Sequence, residues 1–368
     1  MNTPDKLPLL KSAFSMLVNQ LRPNDRVAIV VYAGAAGLVL PSTPGNQKQR
    51  ILDAIDRLSA GGSTAGGEGL KLAYKVAAEN FIEGGNNRIV LATDGDFNVG
   101  VSSNAEMERL VEAERGHGVF MTVLGFGMGN YKDDKMEIIA DKGNGNYAYI
   151  DNLQEAQKTL VREFGGTLFT IAKDVKLQLE FNPSKIAAYR LIGYENRLLA
   201  NEDFNNDKKD AGDIGAGHTV TALYELVPAG AKDTPQYTGK VDALRYQATK
   251  ILGHDDYPDE WLTLKLRYKQ PDGNLSKLLI TVVSGQVPGF GNASTDMQFA
   301  CGVASLGMLL RNSGYKNDLT YDQAIHMIRN GKGTDGEGDR GELLKLARLA
   351  ALLSGSVQAE EETGWLGE

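Results

Sequence analysis

The stretch RIVLATDGDFNVG, Arg88 to Gly100, decides how the rest of the chain is read. Ile89 to Ala92 make a short unbroken apolar run that stops at Thr93-Asp94-Gly95. Such a run is what a strand buried on both faces looks like, and those strands belong to parallel sheets flanked by helices. Asp94 then falls where the strand ends, on the sheet edge where open α/β folds bind their ligands. A carboxylate beside a freely turning glycine suits a hard cation or a polar ligand. Asp-Gly is also a common turn dipeptide, and taken alone it reads as a plain turn.

Upstream lies GGSTAGGEGL, Gly61 to Leu70, with Thr64 between two glycine pairs just before a helical pattern. Strand, Asp-Gly turn and Gly-Ser-Thr loop together resemble the von Willebrand factor type A (vWA) family. That resemblance implies a doubly wound, mostly parallel Rossmann-like sheet with a metal at its top, the metal-ion-dependent adhesion site. It also implies the ligand set: a first-strand Asp-x-Ser-x-Ser motif, a threonine from a Gly-rich loop and the aspartate of a Thr-Asp-Gly turn. Thr64 matches the threonine and Asp94 the aspartate. Both are hard oxygen donors suited to Mg²⁺, Mn²⁺ or Ca²⁺. The first motif is absent. The chain opens MNTPDKLPLLKSAF, which resembles the family's segment just after a Ser-Gly-Ser-Met ending. The expectation is a vWA unit lacking its first strand, an incomplete site and low metal occupancy. Asp96 is placed to assist through water or to be simply solvated.

Outward from the anchor strand, periodicity predicts a helix over residues 4–21, with Thr3 as N-cap and Pro4 at its first position. RVAIVVYA and GLVL read as a strand pair with a short Gly-rich connection. Helices come next at 46–59 and 68–81, then the anchor strand, a helix at 104–115 and the strand GVFMTVLGFG. A helix at 133–141, the strand NYAYI and a helix at 152–164 complete the alternation. Strands and helices alternating at these lengths predict a parallel sheet covered on both faces. The strand that the family places at the centre is missing. RVAIVVYA and RIVLATDG therefore pair directly, leave a slot for another segment, or flank residues upstream of Met1, the alternative favoured here.

Past Gly165-Gly166 the period changes to two. Val175, Leu177, Leu179 and Phe181 alternate with Lys176, Gln178 and Glu180, so one face is expected apolar and the other wet. WLTLKLRYK repeats the pattern, and AAYRLIGYEN, HTVTALYELV and LSKLLITVV are further strand candidates. Strands without intervening helices read as an antiparallel, sandwich-like unit. From Ser294 the period is helical again, with Ala300, Ala304 and Gly307 expected to let another element approach closely. The organisation read from the chain is a vWA unit over 1–165, a β-rich sandwich-like unit over 166–290 and a helical segment over 291–368 that packs on it. YENRLLANEDFNNDKKDAGDIGAGHTVTALYEL resembles a segment of bacterial vWA proteins of the YfbK type, in which a domain of unknown function comes after the vWA module. That resemblance implies a cell-envelope protein, secreted or carried by a lipid anchor upstream of the chain.

Composition narrows the function classes. A chain of 368 residues with 42% hydrophobic and 23% charged residues has the composition of globular protein. The net charge of −8 argues against a sequence-independent grip on nucleic acid. No apolar run is long enough to span a bilayer as a helix, and no signal peptide is visible. Cys301, alone in the chain, rules out an internal disulfide and reads as a small core residue of an apolar helix. The acidic loop Glu202, Asp203, Asp207, Asp210 and Asp213 does not fit EF-hand spacing and reads as solvated. TDGEGDRGE, around Asp335, reads as a Gly-rich connection with a capping aspartate. The four histidines show no metal-ligand spacing. GGSTAGGEG has no Walker lysine, GVASLG is not a nucleophile elbow, and no acid–base pair stands out. The function expected is protein recognition rather than enzymology, through Thr64, Asp94 and a partner protein. The rival expectation is an accessory subunit that docks onto an ATPase, chelatase or other enzyme.

Overall fold

The computed structural model describes residues 1–32, 37–61, 66–94, 104–127, 133–163, 170–194, 198–209, 211–231, 257–271 and 273–355. The chain divides into two compact units. The first comprises Met1–Lys176, Asn206–Thr219 and Arg267–Lys277; the second comprises Leu177–Asn205, Val220–Leu266 and Leu278–Glu368.

The first unit is built around a parallel sheet in the order β3-β4-β5, from Asn87–Thr93, Val119–Phe126 and Tyr147–Ile150. Ile89 pairs with Met121, Thr93 with Gly125 and Phe126 with Ile150. The two-residue period of β4 sorts its side chains. Val119, Met121 and Val123 pack with Leu70 and Tyr74 of α3 (Gly66–Glu79), Met107 and Val111 of α4 (Asn104–Gly116) and Met136 and Ile139 of α5 (Asp133–Lys142). Leu124 and Phe126 join Ile150 in a second cluster. Its other members include Leu9, Leu10, Ala13 and Leu17 of α1 (Leu7–Gln20), with Ala156 of α6 (Leu153–Gln157) and Leu160 just beyond it. Helices thus cover both faces, and β4 is apolar on both, as a central parallel strand must be. The doubly wound α/β expectation holds.

β1 (Arg26–Val31) and β2 (Gly37–Pro44) form an antiparallel pair. They pack through Leu40 on Ile51, Ala54 and Ile55 of α2 (Lys48–Asp56) and on Val18 of α1. Among the described residues this pair and β3-β4-β5 are separate sheets, so β1 and β3 do not pair directly. The Tyr32 hydroxyl, just past β1, donates to the Ala92 carbonyl at 2.7 Å across this interval.

Two local readings of this unit are corrected. α1 begins at Leu7 rather than at residue 4, and residues 4–6 form a turn. Pro8 explains this. In a helix begun at Pro4 it would sit past the first turn, where its ring clashes and its missing N–H is needed; in a helix begun at Leu7 it occupies the tolerated second position. The final helix is α-helical only to Gln157, capped by the Asn152 side chain on the Glu155 amide, and closes with a π-turn over Lys158–Arg162.

Beyond residue 170 the strands among the described residues are β6 (Thr170–Phe181), β7 (Ile186–Ile192), β8 (Gly212–Gly215), β9 (Leu223–Pro228), β10 (Glu260–Lys269) and β11 (Ser276–Ser284). They form a four-stranded sheet in the order β11-β10-β6-β8 and a separate antiparallel pair, β7-β9. The one-dry, one-wet expectation for β6 fails locally: Lys176 is buried and Leu177 is exposed. The Lys176 ammonium donates to the Asn206 carbonyl at 2.6 Å, so the polar end is satisfied inside while its stem replaces a hydrocarbon side chain.

In the second unit, α7 (Thr295–Leu310), α8 (Tyr321–Asn330) and α9 (Asp339–Leu353) share a core of Leu306, Ile325, Ile328, Ala347 and Ala351. The small residue at the close approach is Gly302, not Gly307. A β-carbon on Gly302 would lie 2.8 Å from the Ile328 nitrogen, whereas Gly307 faces open space. Helical spacing accounts for the difference: Gly302, Ser305 and Leu306 share the buried stripe of α7. β7 reaches the same helices, with Arg190 3.5 Å from the Met308 sulfur and stacked on the Tyr315 ring at 4.6 Å.

Candidate functional site

The register of β3, β4 and β5 brings their carboxyl ends to one edge of the sheet. Thr93 stands opposite Gly125, and Gly125 opposite Tyr149. Asp94 comes directly after β3, and Gly127 directly after β4. Asp94 is therefore where the sequence places it. Thr64 and Asp96 lie outside the described residues.

Two ammonium groups meet at one oxygen of Asp94. The Met1 amino group lies 3.0 Å and the Lys6 side chain 3.2 Å from Oδ2. Side-chain exposures of 18% for Asp94 and 21% for Lys6 shield the pair from most of the solvent. Burial pushes the Asp94 carboxyl up, but the hydrogen bonds and charges of the two ammonium groups outweigh it, and the group sits below the usual carboxylate range.

Lys6 is seated by the opposite lip of the edge. Gly127 has φ 82°, and a β-carbon there would fall 2.4 Å from Cγ and 2.5 Å from Cε of Lys6. The space a side chain would fill at Gly127 is taken by the lysine stem. The Tyr149 hydroxyl donates to the Gly127 carbonyl at 2.9 Å, which ties this turn to β5. Sequence reading singled out Asp94 but missed Lys6, whose only signal is its place at the start of α1.

The donor set does not fit a resident divalent ion in this arrangement. The charge of Asp94 is matched by the Lys6 ammonium, and among the described residues no group of three or more His, Cys, Asp or Glu is placed to hold a metal. A dication at Oδ2 would meet the Lys6 ammonium within a few ångströms.

The other acidic stretches have structural roles. The Asp335 carboxylate accepts from the amides of Arg340 and Gly341 at 3.1 and 2.7 Å and so caps the start of α9, as the sequence suggested. Beside it is an open cleft of about 340 Å³ whose lining includes Thr295, Asp296, Glu337 and Arg340. Arg340 spans it, bonding to Asp296 and to the Gly331 carbonyl. In the loop after Asn205, Asp207 accepts from the Ser276 amide at 3.3 Å and Asp213 from the Asp174 amide at 3.1 Å. Asp210 lies outside the described residues. No described helix is long and apolar enough to cross a membrane.

Comparison with known proteins agrees with this architecture. Residues 1–163 match the von Willebrand factor type A domain, and residues 166–353 match the family described as "Uncharacterized protein YfbK, C-terminal". The chain is 46% identical over 350 residues to the uncharacterized protein YfbK of Escherichia coli, covering 95% of this chain and 59% of that protein. It is 32% identical over 158 residues to the uncharacterized protein sll0103 of Synechocystis, covering 43% of this chain and 37% of that one. Among solved structures, a von Willebrand factor type A protein from Catenulispora acidiphila aligns over 93% of this chain and 77% of its own, at 17% identity and a TM-score of 0.45. The chain thus spans less than two thirds of the curated relatives it matches. It belongs to the YfbK family, with a von Willebrand factor type A domain followed by the YfbK C-terminal domain.

Proposed function

We propose that this chain is a non-enzymatic protein-recognition module of the bacterial cell envelope, and that its vWA unit engages a partner protein at the sheet edge marked by Asp94. The observation that carries the reading is the position of Asp94. It is a shielded carboxylate at the carboxyl ends of three parallel strands, the edge where open α/β sheets present their ligand sites. A negative group held there can accept a partner's cationic side chain, and the surrounding edge supplies contact area. A divalent ion takes part only when Asp94 is released from its ammonium partners, so low occupancy is the expectation for this chain.

The test is affinity capture from the native bacterium's envelope fraction, with the unmodified chain and Asp94→Ala run in parallel. A partner held by the first and lost from the second supports the reading. Equal capture by both, with the two proteins equally stable, removes Asp94 from recognition.

A further inference from the structure

β11 ends the four-stranded sheet β11-β10-β6-β8, so among the described residues one of its edges pairs with β10 and the other pairs with nothing. Strands at such an edge ordinarily carry charges, a proline or a cover that keeps other strands away. β11 reads SKLLITVVS, with no proline and a single charge, Lys277, next to its start. Leu278, Ile280 and Val282 belong to one face and Leu279 and Val283 to the other. All five are exposed, Ile280 by 57%. An edge strand bare on both faces offers itself to a further strand.

The edge is held firmly at both ends. The Arg267 guanidinium donates to the Ser276 hydroxyl at 2.8 Å. Past the other end, the Trp261 indole donates to the Gly285 carbonyl at 2.7 Å and the Gly285 amide to the Asp259 carbonyl at 3.0 Å. A strand fixed in this way loses little freedom when a partner arrives.

We propose that β11 is a self-association edge, on which two copies of this chain pair antiparallel about a two-fold axis at Ile280. The strand that fits must be apolar on both faces and uncharged along its middle, and β11 of a second copy is such a strand. Turned about Ile280, its sequence meets its own complement: Leu278 stands opposite Val282, Leu279 opposite Thr281 and Ile280 opposite itself. The charge pattern selects this direction. Lys277 falls opposite Val283, which separates the two lysines by about 20 Å at about 3.4 Å per residue, beyond the screening length. Parallel pairing in register would set Lys277 against Lys277, which is destabilising. Two-fold pairing also uses up this edge in both copies, so association stops at the dimer. Leu278 to Ser284 belong to the second unit, and the proposal is independent of the role given to Asp94.

The test is sedimentation velocity on the full chain over a concentration series, at low salt and at about 0.5 M salt. Ile280→Lys and Ile280→Glu are run alone and mixed in equal amounts. The unmodified chain should form a dimer that tightens with salt, because the net charge of −8 on each copy is then screened. Each substitution meets its own copy across the axis, so either variant alone should dimerise at least about tenfold more weakly. In the mixture lysine faces glutamate, and the dimer should return as a heterodimer. Unchanged circular dichroism of both variants separates lost pairing from lost folding, as expected for an exposed position. Self-pairing is overturned if the unmodified chain stays monomeric at its highest soluble concentration, or if it forms an open series of larger oligomers. It is equally overturned if the dimer loosens with salt, if Ile280→Lys dimerises as tightly, or if the mixture recovers nothing. A monomeric chain that captures a foreign protein, and loses it on Ile280→Lys, would give the edge to that protein and overturn the second copy as occupant.

Discussion

Lys269 and Asp174 form an ion pair in which the side chains are only 12% and 14% exposed. Asp174 adopts φ 50°, and its carboxylate also accepts from the Ala211 amide at 3.0 Å, while Lys269 donates to the Asp207 carbonyl at 2.7 Å. One buried pair therefore pins the loop that runs past Asp207 and Ala211. Replacing Lys269 by Met would keep the stem but leave the carboxylate with little compensation. We expect Lys269→Met to cost about 3 kcal/mol in urea denaturation, the lower end for breaking a buried pair because the Ala211 amide remains. Cys301 is half-buried, and burial pushes its thiol pKa up. The thiolate is the reactive form, so the native chain should be alkylated more slowly at pH 8 than after unfolding in urea. Equal rates would contradict the burial. At this scale Asp94 was legible because its signal is local, a buried run broken by Asp-Gly. Lys6 was not, because its partner lies 88 positions away and the seat at Gly127 exists only once three elements have met. Lys176 misled for a related reason. Alternation assigns a face, but a loop carbonyl from Asn206 made that face habitable for an ammonium.

Helices and strands of the first unit were readable from periodicity because their apolar residues are many and their cover is two-sided. β4 illustrates this: the same eight residues feed two different clusters. Errors arose at ends and contact points, where one residue decides. Pro8 set the start of α1, and the phase of α7 set which small residue meets α8. That phase gives a paired prediction on one helix. Gly→Ala gains up to about 1 kcal/mol in helix propensity wherever space allows. At Gly307, with nothing within 4 Å, Gly307→Ala should stabilise by roughly that amount. At Gly302 the new methyl would press on the Ile328 nitrogen at 2.8 Å and on the Ile328 side chain at 2.7 Å. Backbone cannot step aside cheaply, and overpacking costs about 1–3 kcal/mol. Gly302→Ala should therefore be destabilising or at best neutral. Melting midpoints of the two variants, moving in opposite directions, check the assigned face; a rise for both would refute it.

For the whole molecule, net charge and individual carboxylate pairs both weaken the fold in acid. With 47 Asp and Glu against 39 Lys and Arg the isoelectric point lies near 5.3, so below it the chain gains net positive charge and repels itself more as pH falls. Individual carboxylates act in the same direction. The Arg22 hydrogen bond, opposed by burial, holds Asp25 below the usual carboxylate range, and the Lys142 hydrogen bond does the same for Glu112. Burial raises Asp94 and Asp335, but the ammonium groups and the helix amides respectively outweigh it, so both also lie low. Near pH 4 the folded chain thus carries fewer protons at these groups than the unfolded chain does. Their contribution is fully present above the ordinary carboxylate pKa, about 4, and is lost as pH falls through the lowered values. Diffuse repulsion is screened beyond about 8 Å at physiological salt, whereas hydrogen-bonded partners at contact are screened far less. The melting midpoint should therefore fall as pH is lowered from 6 to 3, and the part of the fall that persists at 0.5 M salt should come from the contact pairs. Asp25→Asn with Glu112→Gln should flatten part of that fall by removing two of the groups that drive it. A midpoint that does not fall on acidification at 0.5 M salt would mean that the paired carboxylates contribute little to stability.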